Sequence, residues 1–239
     1  MKSFVFISIV LISGCFAGLI HGGLNLVIVE PYLDQAISIE NQNLFLTGEE
    51  EDTPQFWVEY YDYRVWQKGG QIIAGMILGT SFGALFGIIY ALTKNSLPSK
   101  KHVGNTLILA GIMWLTLFVI PFLKYPANPP TVGDPETVAL RGILYIVFIV
   151  ISGFAALSCY KIFKRLESQK KYISFIIYAV FISSVFFIMP ENPDEINTSL
   201  ELVNQFRISA FITSSVFWFS LAIILGIFWQ KTKPEIESS

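Results

Sequence analysis

The chain has 239 residues, of which 53% are hydrophobic and only 14% charged, with a formal net charge of −2. A soluble domain carries about 25% charged residues, so this balance excludes an ordinary soluble protein and points to a bilayer as solvent. The two cysteines, Cys15 and Cys159, both fall in apolar runs, which excludes a disulfide framework and a Cys-x-x-Cys metal site.

The first apolar run, Ser3–Val29, has no Asp, Glu, Lys or Arg. Lys2 and "ISGC" (Ile12–Cys15) resemble a lipoprotein signal, but the apolar pattern continues for 14 residues past Cys15 and reads as a spanning helix. Gly14, Gly18 and Gly22 recur every fourth residue, a spacing that lets another helix approach closely. His21 and Asn25 stand one turn apart on one face. Polar groups in lipid are costly unless they find partners. The pair can form an interhelical hydrogen bond, or offer an imidazole nitrogen and an amide oxygen to a cation. Glu30 stands at the outer end of the same line.

An acidic and aromatic segment follows at Glu30–Lys68, interfacial in character because Tyr and Trp rings favour the half-wet boundary. Within it, "TGEEEDTPQ" (Thr47–Gln55) reads as an exposed turn. The second run, Gly69–Leu92, carries Gly75, Gly79, Gly83 and Gly87 at four-residue spacing, and Gln71 near its outer end. Both glycine ridges are expected to serve helix packing.

The third run, Val103–Leu123, ends at "YPANPP" (Tyr125–Pro130), and the fifth, Tyr172–Met189, ends at "PENP" (Pro190–Pro193). Between them lies the fourth run, Gly142–Tyr160, and after them the sixth, Ile208–Gln230. The shared Pro-x-Asn-Pro recurs 64 residues apart, and an Arg follows each Asn by 13 or 15 residues. The spacing predicts a repeated unit built on Pro126, Asn128, Pro129 and Arg141, then on Pro190, Asn192, Pro193 and Arg207. Glu30-Pro31 and Arg64 form a divergent third copy with a helix exit at Pro31. Proline cannot continue a helix, and Asn closes a turn on local backbone. Each segment thus stops a helix, and its freed carbonyls can also face a cavity.

The amino end, the two short loops and the tail that share one side hold 11 Lys and Arg, against five on the other side. The positive-inside rule then puts both termini in the cytoplasm. The outer loops hold 15 of the 18 acids, either merely tolerated there or forming a mouth that concentrates cations. The expected fold is an all-α integral membrane protein with six transmembrane helices, arranged as three helical hairpins with an internal repeat. It forms one transmembrane domain over 1–239, with 30–68 as an extracytoplasmic segment of it.

No P-loop, Gly-x-Ser-x-Gly or His-Glu-x-x-His occurs, and no helix centre carries a carboxylate or lysine of the kind used in proton relays. An enzyme is not expected, nor a tightly bound cofactor, nor a nucleic-acid partner.

Three blocks, "FAGLIHGGLNLVIVEPYLDQAISIE" (Phe16–Glu40), "IPFLKYPANPPTVGDPETVALR" (Ile120–Arg141) and "MPENPDEIN" with the following "QFRISA" (Met189–Ala210), resemble the CbtA family. The resemblance implies a multi-pass membrane subunit for cobalt import, associated with cobalamin biosynthesis. It also implies a small one-helix, His-bearing partner, CbtB. The family is usually described with five spanning segments, whereas the charge asymmetry here supports six. No site residues carry over from the resemblance. The residues themselves nominate His21, Asn25, Glu30, Glu40, Asp134, Glu136 and Glu191 for a divalent cation, since Co²⁺ accepts mixed nitrogen and oxygen ligands. The expected function is a permease subunit for Co²⁺ in the cell membrane. The alternative is a membrane scaffold that presents its Pro-Asn-Pro loops to a protein.

Overall fold

The computed structural model describes residues 3–130, 132–196 and 198–234. The two chain ends, including Lys2, lie outside the described residues. All regular structure among these residues is helical: α1 (Ser3–Leu24), α2 (Glu30–Thr47), α3 (Pro54–Thr93), α4 (His102–Trp114), α5 (Ile120–Lys124), α6 (Val138–Arg165), α7 (Tyr172–Ile188) and α8 (Leu200–Thr232). Two π-turns, Asn25–Val29 and Leu115–Val119, join α1 to α2 and α4 to α5. Six helical stretches are long and apolar enough to cross a membrane. At most 39% of the most apolar window of any of them is buried in protein. Ile73, Ile77, Phe154, Phe175, Val180 and Phe187 are exposed instead, an outer surface suited to lipid rather than water.

The π-turns have a sequence cause. Each is followed by a residue and then a proline, as Val29-Glu30-Pro31 and Val119-Ile120-Pro121. A proline inside a helix has no N–H to give and its ring crowds the carbonyl four residues back. Widening one turn relieves the clash without ending the helix. Glu30 N–H accordingly bonds to Asn25 C=O, and Ile120 N–H to Leu115 C=O, each five residues back. The exit expected at Glu30-Pro31 is therefore absent. Ser3–Thr47 is one continuous helical stretch of 45 residues, about 68 Å long at 1.5 Å per residue, against about 30 Å of hydrocarbon.

The chain turns at Gly48–Thr53. Gly48 takes the left-handed conformation (φ 74°) and its N–H caps α2 on Leu44 and Phe45. Thr53 then caps α3 by accepting the Phe56 N–H, with Pro54 in the first turn. Segment 30–68 is thus almost wholly helical and continuous with the flanking spans on both sides.

Two compact units are present. The first holds α1 to α3, α4 as far as Gly111, and α8. Its centre is the meeting of α1 and α3. A Cβ on Gly18 would run into the Gly75 carbonyl, and one on Gly83 would lie 2.7 Å from the Gly14 Cα. The two backbones can approach this closely because no side chain intervenes. Packed with this pair is α8, antiparallel to α1: Phe6 stacks edge-on to Trp229 at 5.8 Å, while His21 lies 5.7 Å from Phe217. Phe86, Tyr90, Leu221, Leu225 and Trp229 are fully buried here.

The second unit spans Ile112–Asn128 and Val132–Ser199. Tyr125, Leu144, Phe148 and Ile182 form its core, flanked by Ile120, Tyr178, Phe186 and Met189. Here α6 packs on α7 and on the Leu115–Val119 turn. Consecutive helices α7 and α8 thus belong to different units.

Candidate functional site

The polar line on α1 survives folding as a connected chain of groups. His21 Nδ1 lies 3.2 Å from the Thr213 carbonyl of α8. A carbonyl only accepts, so Nδ1 carries a proton, and in the neutral ring Nε2 keeps its lone pair. Asn25 Nδ2, at 3.3 Å, donates to that Nε2. In metal-binding histidines, too, a backbone carbonyl fixes ring and tautomer and leaves the other nitrogen as a base. Gln71 stands at the same level on the facing helix: a Cβ on Gly22 would lie 3.3 Å from the Gln71 carbonyl. The Gln71 Oε1 is buried and has no hydrogen-bond partner among the described residues.

One turn beyond Asn25 the charges are already matched. Arg64 of α3 donates to Glu30 and, at 2.7 Å, to Asp34. Lys68 donates to the other Asp34 oxygen at 2.8 Å, and Gln67 receives Arg64 at 2.7 Å. Glu30 and Arg64 are both about 7% exposed at their side chains, so each needs the other. Two acids face two bases, which leaves this cluster with little net attraction for a cation.

The remaining acidic candidates are exposed. Glu40 is exposed on α2, and Glu191 is exposed just after Pro190. Asp134 and Glu136 are exposed neighbours, with Asp134 accepting the Glu136 N–H at 2.8 Å. Among the described residues no three His, Cys, Asp or Glu gather in a way that could hold a metal ion.

In the second unit Asn128 and Asn192, one from each Pro-x-Asn-Pro motif, meet at one acidic residue that sequence reasoning passed over. Asp194 forms an ion pair with Arg141 at 2.8 Å and accepts the Asn128 amide, while its own N–H bonds to Asn192 Oδ1 at 3.2 Å. Tyr125 donates to the Pro190 carbonyl at 2.7 Å, and Gly133 N–H reaches the Glu195 carbonyl at 3.3 Å. Gly133 is at φ 85°, and a Cβ there would strike Asp194. The helix stops follow the proline rule: Tyr125 and Met189, each before a proline, are non-helical. The two motifs are used unequally, because Asn192 turns on its own loop whereas Asn128 reaches the other. Arg207 lies in α8, in the first unit. The only sequence signal for Asp194 was its place two residues after Asn192, where Pro130 stands in the first motif.

A family model described as "Probable cobalt transporter subunit (CbtA)" matches residues 4–230, nearly the whole chain. The chain belongs to the CbtA family. With six stretches able to span a membrane, this CbtA protein is a multi-pass membrane protein of a transporter-subunit family, a class distinct from enzymes. Neither a comparison with curated proteins nor one with solved structures yields a match.

Proposed function

We propose that this CbtA chain is the membrane-embedded permease subunit through which Co²⁺ enters the cell. The observation that carries the reading is the His21 arrangement: an imidazole inside the apolar layer, fixed by the Thr213 carbonyl, with its Nε2 covered by the Asn25 amide. Displacing or turning that amide puts a nitrogen and an oxygen donor side by side, a set that Co²⁺ accepts. The exposed carboxylates Glu40, Asp134, Glu136 and Glu191 gather the ion outside. Glu30 takes part once Arg64 gives way. A small one-helix, His-bearing partner of the CbtB kind completes the ligand set. The Lys and Arg distribution supports insertion in the plasma membrane with both termini cytoplasmic, and the recurrent Pro-Asn-Pro exits support an internal repeat.

The test is cellular cobalt at limiting external Co²⁺, in strains carrying the chain alone, the chain with the partner, or neither. Accumulation above background that is lost in the His21→Ala variant supports this path. Background cobalt in every strain, with the protein present in the membrane, refutes it.

A second reading draws on a different observation. Asp194 ties both Pro-Asn-Pro loops into one surface, as a scaffold for a protein partner would require. Under that reading the paired Asn128→Ala and Asn192→Ala variant loses the partner on co-purification and leaves metal binding unchanged. Retained co-purification counts against it.

A further inference from the structure

We infer that the π-turn of α1 supplies a backbone oxygen to the cation path, the carbonyl of Leu26; the inference rests on the permease reading above. In each π-turn the last helical donor is used five residues back, by Glu30 on Asn25 and by Ile120 on Leu115. The next carbonyls in that register belong to Leu26 and Thr116. Their donors would be Pro31 and Pro121, which have no N–H. A carbonyl stripped of its donor inside lipid is expensive and needs a substitute.

The two turns answer that need differently. In the second unit, Ser152 of α6 donates its hydroxyl to the Thr116 carbonyl, and Tyr178 bonds to the same Ser152 oxygen at 2.8 Å. Ser152 is fully buried, so this carbonyl is sealed. In the first unit, no side chain among the described residues donates to Leu26. Its turn packs on α8, the helix that orients His21. Asn25, which covers the His21 nitrogen, is the first residue of the turn. The stretch from His21 to Leu26 therefore carries an imidazole nitrogen, an amide oxygen and a carbonyl oxygen that Pro31 leaves without its helical donor. Broken helices in membrane proteins expose carbonyls to ions in this way. Such a mixed nitrogen and oxygen set suits a divalent late first-row cation, and the oxygens replace part of its water shell.

Two variants test this, with Co²⁺ as the probe. Pro31→Ala restores the missing N–H and gives the Leu26 carbonyl a helical partner. In the second, Val27 is replaced by its α-hydroxy acid, which weakens the Leu26 carbonyl as a ligand and leaves the side chains intact. Both are compared with Pro121→Ala, which acts on the sealed turn. The readouts are Co²⁺ uptake and the visible absorption of Co²⁺ bound to purified protein. The inference expects uptake and binding to fall about tenfold or more in both Leu26-directed variants, the scale seen when a metal ligand loses its support, with Pro121→Ala near the parent. Parental uptake with undiminished activity in both Leu26-directed variants overturns it, as does an equal loss in Pro121→Ala. Absence of uptake by the parent chain with its partner would instead overturn the permease reading itself.

Discussion

The Asp194 carboxylate lies 2.8 Å from the Arg141 guanidinium and also accepts the Asn128 amide. Its side chain is only 4% exposed, while that of Arg141 is 22% exposed. One carboxylate thus joins the residues after α5, the start of α6 and the loop after α7. Removing one partner of such a pair leaves a charge without its counterion, at a cost of about 3 kcal/mol. Asp194→Ala is therefore expected to lower the thermal midpoint of the detergent-solubilised protein and expose the loops to protease. Asn192→Ala, which removes only the local turn contact, is expected to cost about 1 kcal/mol or less. Equal stability of the parent and Asp194→Ala would show the ion pair to be dispensable.

The glycines of α1 separate into two kinds. At Gly18, Gly14 and Gly22 an added Cβ meets the α3 backbone, whereas at Gly23 it meets nothing within 4 Å. Gly18→Ala and Gly79→Ala are expected to push α1 and α3 apart and to destabilise by about 1–3 kcal/mol each, the range for overpacking. Gly23→Ala, one residue from the ridge, should be neutral or stabilise by up to about 1 kcal/mol through helix propensity. Thermal scans of the three variants in one detergent check the contrast. Similar behaviour at Gly18 and Gly23 would contradict the close approach.

Glu30 and Arg64 are a buried pair, so each single neutral variant leaves the other charge stranded. Glu30→Leu and Arg64→Leu are each expected to destabilise by about 3 kcal/mol, and the double variant by less than their sum. Asp34 also holds Arg64, which moderates the Glu30 effect. The double-mutant cycle by thermal unfolding gives the coupling. Strict additivity would show that the two side chains act independently, which would free Glu30 for a ligand role at rest.

Ser152→Ala uncovers the Thr116 carbonyl and removes the partner of the Tyr178 hydroxyl. The expected loss is about 1–3 kcal/mol, the penalty for a buried group left unmatched. In a Pro121→Ala background the new N–H offers that carbonyl a substitute, and the cost of Ser152→Ala should shrink. Unfolding midpoints of the four proteins decide it. An unchanged Ser152→Ala cost in the second background would mean that Pro121 is not the cause of the orphaned carbonyl.

The sequence by itself determined the solvent and the helices. Six apolar runs without charges can satisfy their backbone in lipid only as helices, and all six are present. The stops at Tyr125 and Met189 were legible too, because the constraint of the following proline is local. The His21–Asn25 contact was legible from helical spacing alone. Pro31 misled for an instructive reason. Proline removes one donor, but whether a helix then ends or widens depends on what its next residues can bond to, and α2 is held through Glu30 and Asp34 to Arg64 and Lys68 of α3. That pairing crosses 30 to 34 residues of sequence, and the Asn128–Asp194 contact crosses 66. Only the tertiary structure decided such matters: the grouping of α8 with α1, the sealing of Thr116 by Ser152, and the choice of Asp194 as the shared acceptor. Periodicity records which face of a helix avoids water, but in lipid every face is apolar, so the partner of each helix is set by polar contacts and close packing that no local pattern encodes.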